Sequence, residues 1–237
     1  MLTANETNKT NGMKKLFMMA AAAMMAATSI NAQGCFEPGT FTLHPRVGFT
    51  GALITNMPSI DLGVRNIKND AKGGFFAGVD AAYQVNNWFE VAAGINWSQA
   101  GSGWKDTNII VDGSALEVKD LKIETSYISV PVTANFYVLK GFALKAGVQF
   151  GFLTSAKVKG ELSADGTTEK LNESCKDQFK KLDISIPVGI SYEFKNHIVL
   201  DARYNFGLTK VNKEKDPDLD DGRNKTFVFT IGYKFKL

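Results

Sequence analysis

Eight segments of the chain alternate between apolar residues and small or polar residues with a period of two. The clearest is "LDISIPVGISYEF" at residues 182–194, where Leu, Ile, Val, Tyr and Phe occupy every second place. Because successive side chains of a β-strand point to opposite faces, this pattern predicts a strand between two different environments. The predicted strands cover residues 41–53, 75–85, 89–97, 128–138, 142–154, 182–194, 198–208 and 227–237.

The connections between these segments alternate between short and long. Three are tight turns, "NNW", "LKG" and "KNH", whereas the other four are long and polar, at residues 54–74, 98–127, 155–181 and 209–226. All short turns therefore lie at one end of the sheet, which is typical of bacterial outer-membrane barrels. Residues 41–237 are predicted to be all-β, forming an eight-stranded antiparallel up-and-down transmembrane β-barrel.

The N-terminal region predicts export. In "MKKLFMMAAAAMMAATSINAQ", two lysines precede an apolar run that ends in small residues at Ala32, the pattern of a cleavable signal peptide. The run is shorter than the roughly 20 residues that a spanning helix needs. Residues 1–32 are thus the predicted N-terminal extension and signal peptide, and residues 33–40 a short periplasmic segment. The predicted location is the outer membrane, and a net charge of only +3 gives no indication of a nucleic-acid partner.

The two faces of the predicted strands differ sharply in charge. The apolar positions include no Asp, Glu, Lys or Arg, whereas the intervening positions are rich in glycine and carry five basic and five acidic residues. Enclosed charges persist when they are paired, so the balance predicts a salt-bridged interior. The predicted lumen charge network consists of Arg46, Asp80, Glu90, Lys145, Asp183, Glu193, Asp201, Arg203, Lys234 and Lys236. Pro131 and Pro187 also lie at intervening positions of their strands, and we expect bulges or bends there.

Two other architectures have the same alternation. A soluble, lipocalin-like periplasmic carrier would turn the apolar face inward around a ligand, and a narrow porin would keep an open lumen. The glycine-rich second face and two bands of aromatic residues favour the membrane barrel. Eight strands leave an interior that side chains fill, which argues against conduction.

Candidate chemistry is sparse. Only two histidines, His44 and His197, are present, both are predicted near the short-turn end, and no nucleophile, base and orienting group can be assembled around them. The acidic segment "DPDLDDGRN" at residues 216–224 departs from calcium-loop spacing, with Phe227 where the bidentate Glu belongs. We expect no enzyme activity, cofactor or metal. Candidate contact residues in the long loops are Trp104, Ile109, Ile110 and Phe179.

Several motifs carry a family resemblance: "NAQ" after the signal, "YISVPVTANFYV", "LDISIPVGISYEF", "LDARYNFGLTKV" and the terminal "TIGYKFKL". They resemble the porin-family, or PorT-family, outer-membrane β-barrel proteins of Bacteroidetes-type bacteria. The resemblance implies an eight-stranded barrel and transfers no catalytic or binding residue. The terminal pattern is similar to the signal that hands barrels to the insertion machinery, although the last residue is Leu237 and not Phe.

The expected function is that of an integral outer-membrane barrel, a structural scaffold or surface-binding protein with four long extracellular loops. We expect a monomer whose partners are outer-membrane lipid, the barrel insertion machinery and an unidentified extracellular or periplasmic protein.

Overall fold

The computed structural model describes residues 35–55, 60–61, 66–67, 69–104, 107–111, 114–164, 167–211 and 222–237. The predicted signal peptide, residues 1–32, lies outside this part of the chain. Within it, no helix is both long and apolar enough to cross a membrane.

Eight long strands account for most of the described residues. They are β1 (Phe41–Ile54), β2 (Asn69–Asn86), β3 (Phe89–Trp104), β4 (Ser114–Leu139), β5 (Phe142–Ala164), β6 (Leu182–Glu193), β7 (Ile198–Gly207) and β8 (Asn224–Tyr233). Short strands occur at Ile60–Asp61, Asn66–Ile67, Thr107–Val111, Thr167–Ser174 and Phe235–Lys236, and a 3₁₀ turn at Lys176–Gln178.

The long strands form a closed ring. Each pairs antiparallel with its neighbours in the chain, and β1 closes the ring by pairing with β8, for example Val47 with Ile231. The three tight connections lie where they were predicted, and two of them contain left-handed residues, Gly141 (φ 75°) and His197 (φ 63°). The eight-stranded up-and-down barrel is therefore confirmed.

The apolar face of the sheet points outward. Phe49, Phe75 and Ile95 are exposed over 64%, 60% and 60% of their surface, and every long strand contributes similar residues. The polar face is enclosed, because residues such as Thr42, Asn96 and Thr230 are almost fully buried. The lipocalin-like alternative is wrong, since its apolar face would line the cavity.

The long connections are less irregular than predicted. The exposed apolar residues of the eight strands form a belt around the barrel, which we call the apolar band. Four strands, β2 to β5, continue well beyond this band into residues that had been predicted as loops. Thr107–Val111 pairs with β4, and Thr167–Ser174 pairs with β5. These four strands, in the order 107–111, β4, β5 and 167–174, form what we call the outer sheet. The pairing of β4 with β5 shifts register between Ser126 and Tyr127 and then continues beyond the barrel, so the polarity of these residues marks a solvated sheet and not a loop.

The prediction of bulges at the two prolines is wrong. Pro131 pairs with Gln149 without a shift in register. At Pro187 the pairing with β5 is interrupted and resumes at Val188 in the same register, because proline has no N–H to donate. Register shifts occur elsewhere, including between Lys119 and Lys122 in β4.

Candidate functional site

The lumen near the short-turn end contains a buried cluster centred on Lys234, which follows β8 directly and is only 6% exposed. Its Nζ donates to Glu90 Oε2 at 2.6 Å, to the Tyr137 hydroxyl at 2.9 Å and to Glu193 Oε2 at 3.2 Å. Asn135 Nδ2 donates to the other oxygen of Glu90 at 2.6 Å. Side chains from β3, β4 and β6 thus converge on one ammonium group.

A second buried cluster lies further along the lumen and is centred on Asp201, which is only 1% exposed. Its two carboxylate oxygens accept from Arg203 Nε at 2.9 Å and from Lys145 Nζ. Arg46 lies 3.9 Å from the same carboxylate and pairs with Asp80 at 2.9 Å. Gly94 leaves space for that pair, because a Cβ at position 94 would overlap the Asp80 carboxylate.

The two clusters balance one another. Together they enclose four cations, Arg46, Lys145, Arg203 and Lys234, with four anions, Asp80, Glu90, Glu193 and Asp201. Each of these charges has an opposite partner, and a charge in a medium of low polarity is tolerated when it is paired. The clusters fill the cross-section of the lumen with ion pairs.

Two residues of the predicted network lie outside these clusters. Asp183 is half-buried and accepts hydrogen bonds from the Thr209 hydroxyl at 2.6 Å and from Asn224 Nδ2 at 2.9 Å. Lys236 is exposed, because the strand Phe235–Lys236 lies at the rim beside Thr42 and its side chain extends past the enclosed lumen. The prediction that Lys236 belongs to the buried network is wrong.

Tyr137 and Asn135 were not predicted as members of the network. Both share the inward register of Ser129 and Thr133 in β4, so their facing could have been read from the alternation. Their partners could not, because Glu90, Glu193 and Lys234 are contributed by strands distant in sequence.

Both ends of the lumen are covered. At the short-turn end, Phe36 stacks on His197 at 4.6 Å between ring centroids, and His197 Nδ1 lies 3.3 Å from Glu193. At the long-loop end, a buried apolar cluster lies inside the mouth. It is formed by Ala52, Ile54, Ala100, Tyr127, Leu153, Ala156, Cys175, Phe179 and Val211.

The candidate contact residues are therefore not equivalent. Phe179 is only 4% exposed and packs into the apolar cluster, so its prediction as a loop contact is wrong: the 3₁₀ turn before it directs the ring inward. Trp104 is half-buried at the end of β3. Ile109 and Ile110 belong to the outer-sheet strand Thr107–Val111, and their side chains lie outside the described part of the structure.

Ion pairs stiffen the base of the outer sheet. Glu124 of β4 accepts from Lys159 of β5 at 2.7 Å and from Lys72 of β2 at 3.0 Å. Partial burial alone would raise the pKa of the Glu124 carboxyl, but the hydrogen bonds from Lys159 and Lys72 hold that pKa below its usual value. The carboxylate thus links three strands where the sheet leaves the barrel.

The described residues contain no group of three or more His, Cys, Asp or Glu that could hold a metal ion. His44 is buried in the lumen, away from His197 at the rim. Cys35 lies at the short-turn end with its Sγ 3.6 Å from the Glu193 carbonyl oxygen, and Cys175 lies in the apolar cluster at the other end. Burial and the Glu193 carboxylate raise the pKa of the Cys35 thiol to about 11, which leaves it protonated and a poor nucleophile.

The chain is similar to a known protein family and to several solved structures. A family described as outer membrane protein beta-barrel domain matches residues 31–213. Among curated proteins, none matches the chain. Similar solved structures include Ail, the attachment invasion locus protein of Yersinia pestis, in complex with the heparin analogue sucrose octasulfate, at 16% identity over 84% of this chain and 99% of that chain, with a TM-score of 0.40.

Two further solved structures have similarly low sequence identities and TM-scores. Neisserial surface protein A is 14% identical over 82% of this chain and 97% of that chain, with a TM-score of 0.40. The outer membrane protease OmpT from Escherichia coli is 10% identical over 84% of this chain and 97% of that chain, with a TM-score of 0.35. These scores are too low to support an argument about function, whereas the family match covers most of the described barrel. The chain therefore belongs to the outer membrane protein beta-barrel domain family.

Proposed function

We propose that the protein is a membrane-anchored scaffold that holds the outer sheet at the cell surface for binding. The barrel would cross the outer membrane with its short turns in the periplasm and its outer sheet outside the cell. We also propose that the protein belongs to the PorT-type branch of these barrels. No role in secretion is transferred from that branch.

One observation carries the proposal: the lumen is filled by ion pairs while the strands continue beyond the apolar band. A filled lumen leaves no route for a solute, so the function is assigned to the surfaces. Of these, the outer sheet is the part that projects into solvent on a rigid support, an arrangement that often carries binding.

The same proposal covers biogenesis. The N-terminal signal peptide would direct export, and the outward residues of β8 and the terminal segment would be recognised by the insertion machinery. Those residues are Phe227, Phe229, Ile231, Tyr233, Phe235 and Leu237, all well exposed. We propose a monomer, because the ring has no unpaired edge within the apolar band.

We propose no catalytic activity. His197 is occupied by Phe36 and Glu193, His44 is enclosed, and the Cys35 thiol is protonated. None of these groups is arranged as a nucleophile with its base.

Epitope accessibility tests the orientation. One tag is inserted between Ala164 and Thr167, at the tip of an outer-sheet hairpin, and another at Asn87 in a short turn. On intact cells we expect antibody binding to the first tag alone, with the second detected after permeabilisation. Labelling of the Asn87 tag on intact cells would overturn the proposed orientation.

A truncated barrel tests the binding role. Gly160 and Leu171 are paired across the hairpin, so residues 161–170 can be replaced by an Asn-Gly turn without disturbing the barrel. Surface cross-linking on intact cells is expected to recover a partner with the full protein and to lose it with the truncated protein. A matched control replaces only the loop residues 165–166 with Asn-Gly. Identical cross-links from full-length and truncated barrels would refute residues 161–170 of the outer sheet as the binding surface.

A further inference from the structure

Basic residues gather on one side of the barrel, just past the apolar band at the long-loop end. We call this group the basic collar. It consists of Lys157, Lys176, Lys180, Lys181, Lys210, Arg223 and Lys225. All are exposed except Lys176, which is half-buried. They belong to β5, to the segment before β6, and to the adjoining ends of β7 and β8.

Backbone hydrogen bonds join the collar into one continuous rim. Leu153 N donates to the carbonyl oxygen of Lys181 at 2.8 Å, and Lys180 N donates to that of Val211 at 2.8 Å. Val211 N in turn donates to Gly222 at 2.9 Å, which connects the rim to the start of β8. The basic residues are thus neighbours around the barrel and not separate loop tips.

The collar lies at the edge of the lipid-facing surface. Lys225 pairs with Phe206 across β7 and β8, and Lys180 precedes the outward Leu182 by two residues. The apolar residues directly beneath are well exposed: Phe152, Leu182, Phe206, Leu208 and Phe227. A lysine in such a place can lay its methylene groups on the apolar surface while its ammonium reaches the head groups.

Five of the seven collar residues make no ion pair within the described part of the chain. Lys157, Lys180, Lys181, Arg223 and Lys225 make no ion pair there, and Lys176 Nζ donates to a backbone carbonyl, that of Thr154, at 2.8 Å. Among the described residues, the exposed acidic residues nearby are Glu173 and Asp177. By contrast, Lys72 and Lys159, on the β2 to β5 side, are already paired with Glu124.

We propose that the basic collar binds the phosphate-bearing head groups of anionic lipid in the leaflet around the long-loop end. Anionic head groups would supply opposite charge to these five exposed residues, at the depth where the apolar surface ends. The site would give the barrel a preferred lipid contact along β5 to β8. This proposal concerns the membrane contact and does not depend on binding by the outer sheet.

Spin-labelled lipids provide the test. The full chain is reconstituted in phosphatidylcholine vesicles that contain traces of spin-labelled phosphatidylglycerol or phosphatidylcholine, and the protein-associated fraction of each label is measured. A basic residue near an anionic surface contributes about a five-fold preference, so we expect several-fold stronger association of phosphatidylglycerol with the wild-type barrel. The preference should decrease as salt is raised.

A pair of variants with equal charge identifies the surface. The collar variant carries Lys157→Gln, Lys180→Gln and Lys225→Gln, and the control carries Lys122→Gln, Lys159→Gln and Lys170→Gln in the outer sheet. We expect the collar variant to lose much of the preference for phosphatidylglycerol, although four collar residues remain, and the control to keep the wild-type preference. The barrel signal in circular dichroism should be unchanged in both. Equal association of the two labels with the wild-type barrel, or an equal loss in both variants, would overturn the proposal.

Discussion

For individual residues, stability depends on which buried charges share a partner. Asp201 forms ion pairs with three cations, Arg46, Lys145 and Arg203. Removing its charge leaves Lys145 and Arg203 without an opposite charge in an enclosed lumen. Breaking a buried pair in this way costs far more than the pair itself contributes.

We therefore predict that Asp201→Asn lowers the free energy of unfolding by about 3 to 5 kcal/mol. The measurement is equilibrium unfolding by urea in detergent micelles or lipid vesicles. Lys236→Gln is the control, because Lys236 is exposed at the rim, and it should change the free energy by about 0.5 kcal/mol or less. A loss from Asp201→Asn no larger than that of the control would show that the ion pairs do not stabilise the barrel.

At the scale of the strands, the cost of placing a charge on the outward face depends on its depth in the membrane. Val188 lies in the middle of β6 and is 45% exposed on the apolar face. Leu139 is 58% exposed at the end of β4, beside a short turn. The same substitution at the two sites thus compares the band's interior with its edge.

Val188→Arg is predicted to cost about 2 to 4 kcal/mol of folding free energy in vesicles, because the charge is placed near the midplane. Leu139→Arg should cost about 0 to 1 kcal/mol, because the guanidinium reaches the interface. Unfolding in vesicles of defined thickness measures both. Equal costs at the two positions would contradict the proposed position of the barrel in the membrane.

The outer sheet is predicted to loosen in acid because of Glu124. Its hydrogen bonds with Lys159 and Lys72 hold the pKa of the folded carboxyl below its unfolded value. The stabilisation is therefore present above the unfolded pKa and is lost as the pH falls through the folded pKa. Hydrogen exchange of β4 and β5 beyond the apolar band should accelerate in that range, and Glu124→Gln should give fast exchange at every pH. An unchanged exchange rate in acid would contradict the prediction that Glu124 stabilises the outer sheet.

Across the entire barrel, the closed ring makes the lumen a filled interior. Ion pairs occupy its middle, the Phe36 and His197 rings lie at one end, and the apolar cluster lies at the other. A route through the barrel would require several of these contacts to separate together.

We predict that the purified barrel shows no steady ion conductance in a planar lipid bilayer. The expected result is a baseline indistinguishable from protein-free lipid at moderate voltage, because an eight-stranded lumen is filled by side chains. Insertion is verified independently by protease protection of the apolar band. A stable, reproducible conductance step in single-channel records would favour the narrow porin instead.

The eight long strands, their order, the short turns and the facing of the residues within the apolar band follow from the amino-acid sequence. These are local properties, since alternation with a period of two and a tight turn are both set by residues adjacent in the chain. Asp201 and Lys234 are therefore assigned to the lumen by alternation alone. The sequence also predicts that the lumen contains equal numbers of acidic and basic residues, but not which of them form pairs.

Which charges meet, where the lumen ends and which residues project depend on the three-dimensional arrangement of the strands. Lys234 contacts Glu90 and Glu193 across the lumen, because ring closure turns the inward side chains of β3, β6 and the end of β8 towards one another. Alternation carries no information about height along the barrel axis. For the same reason Lys236 lies at the rim, Phe179 turns inward, and the polar segments beyond the band form the outer sheet. Facing is a property of the local backbone, whereas depth and partnership depend on the stagger of all eight strands.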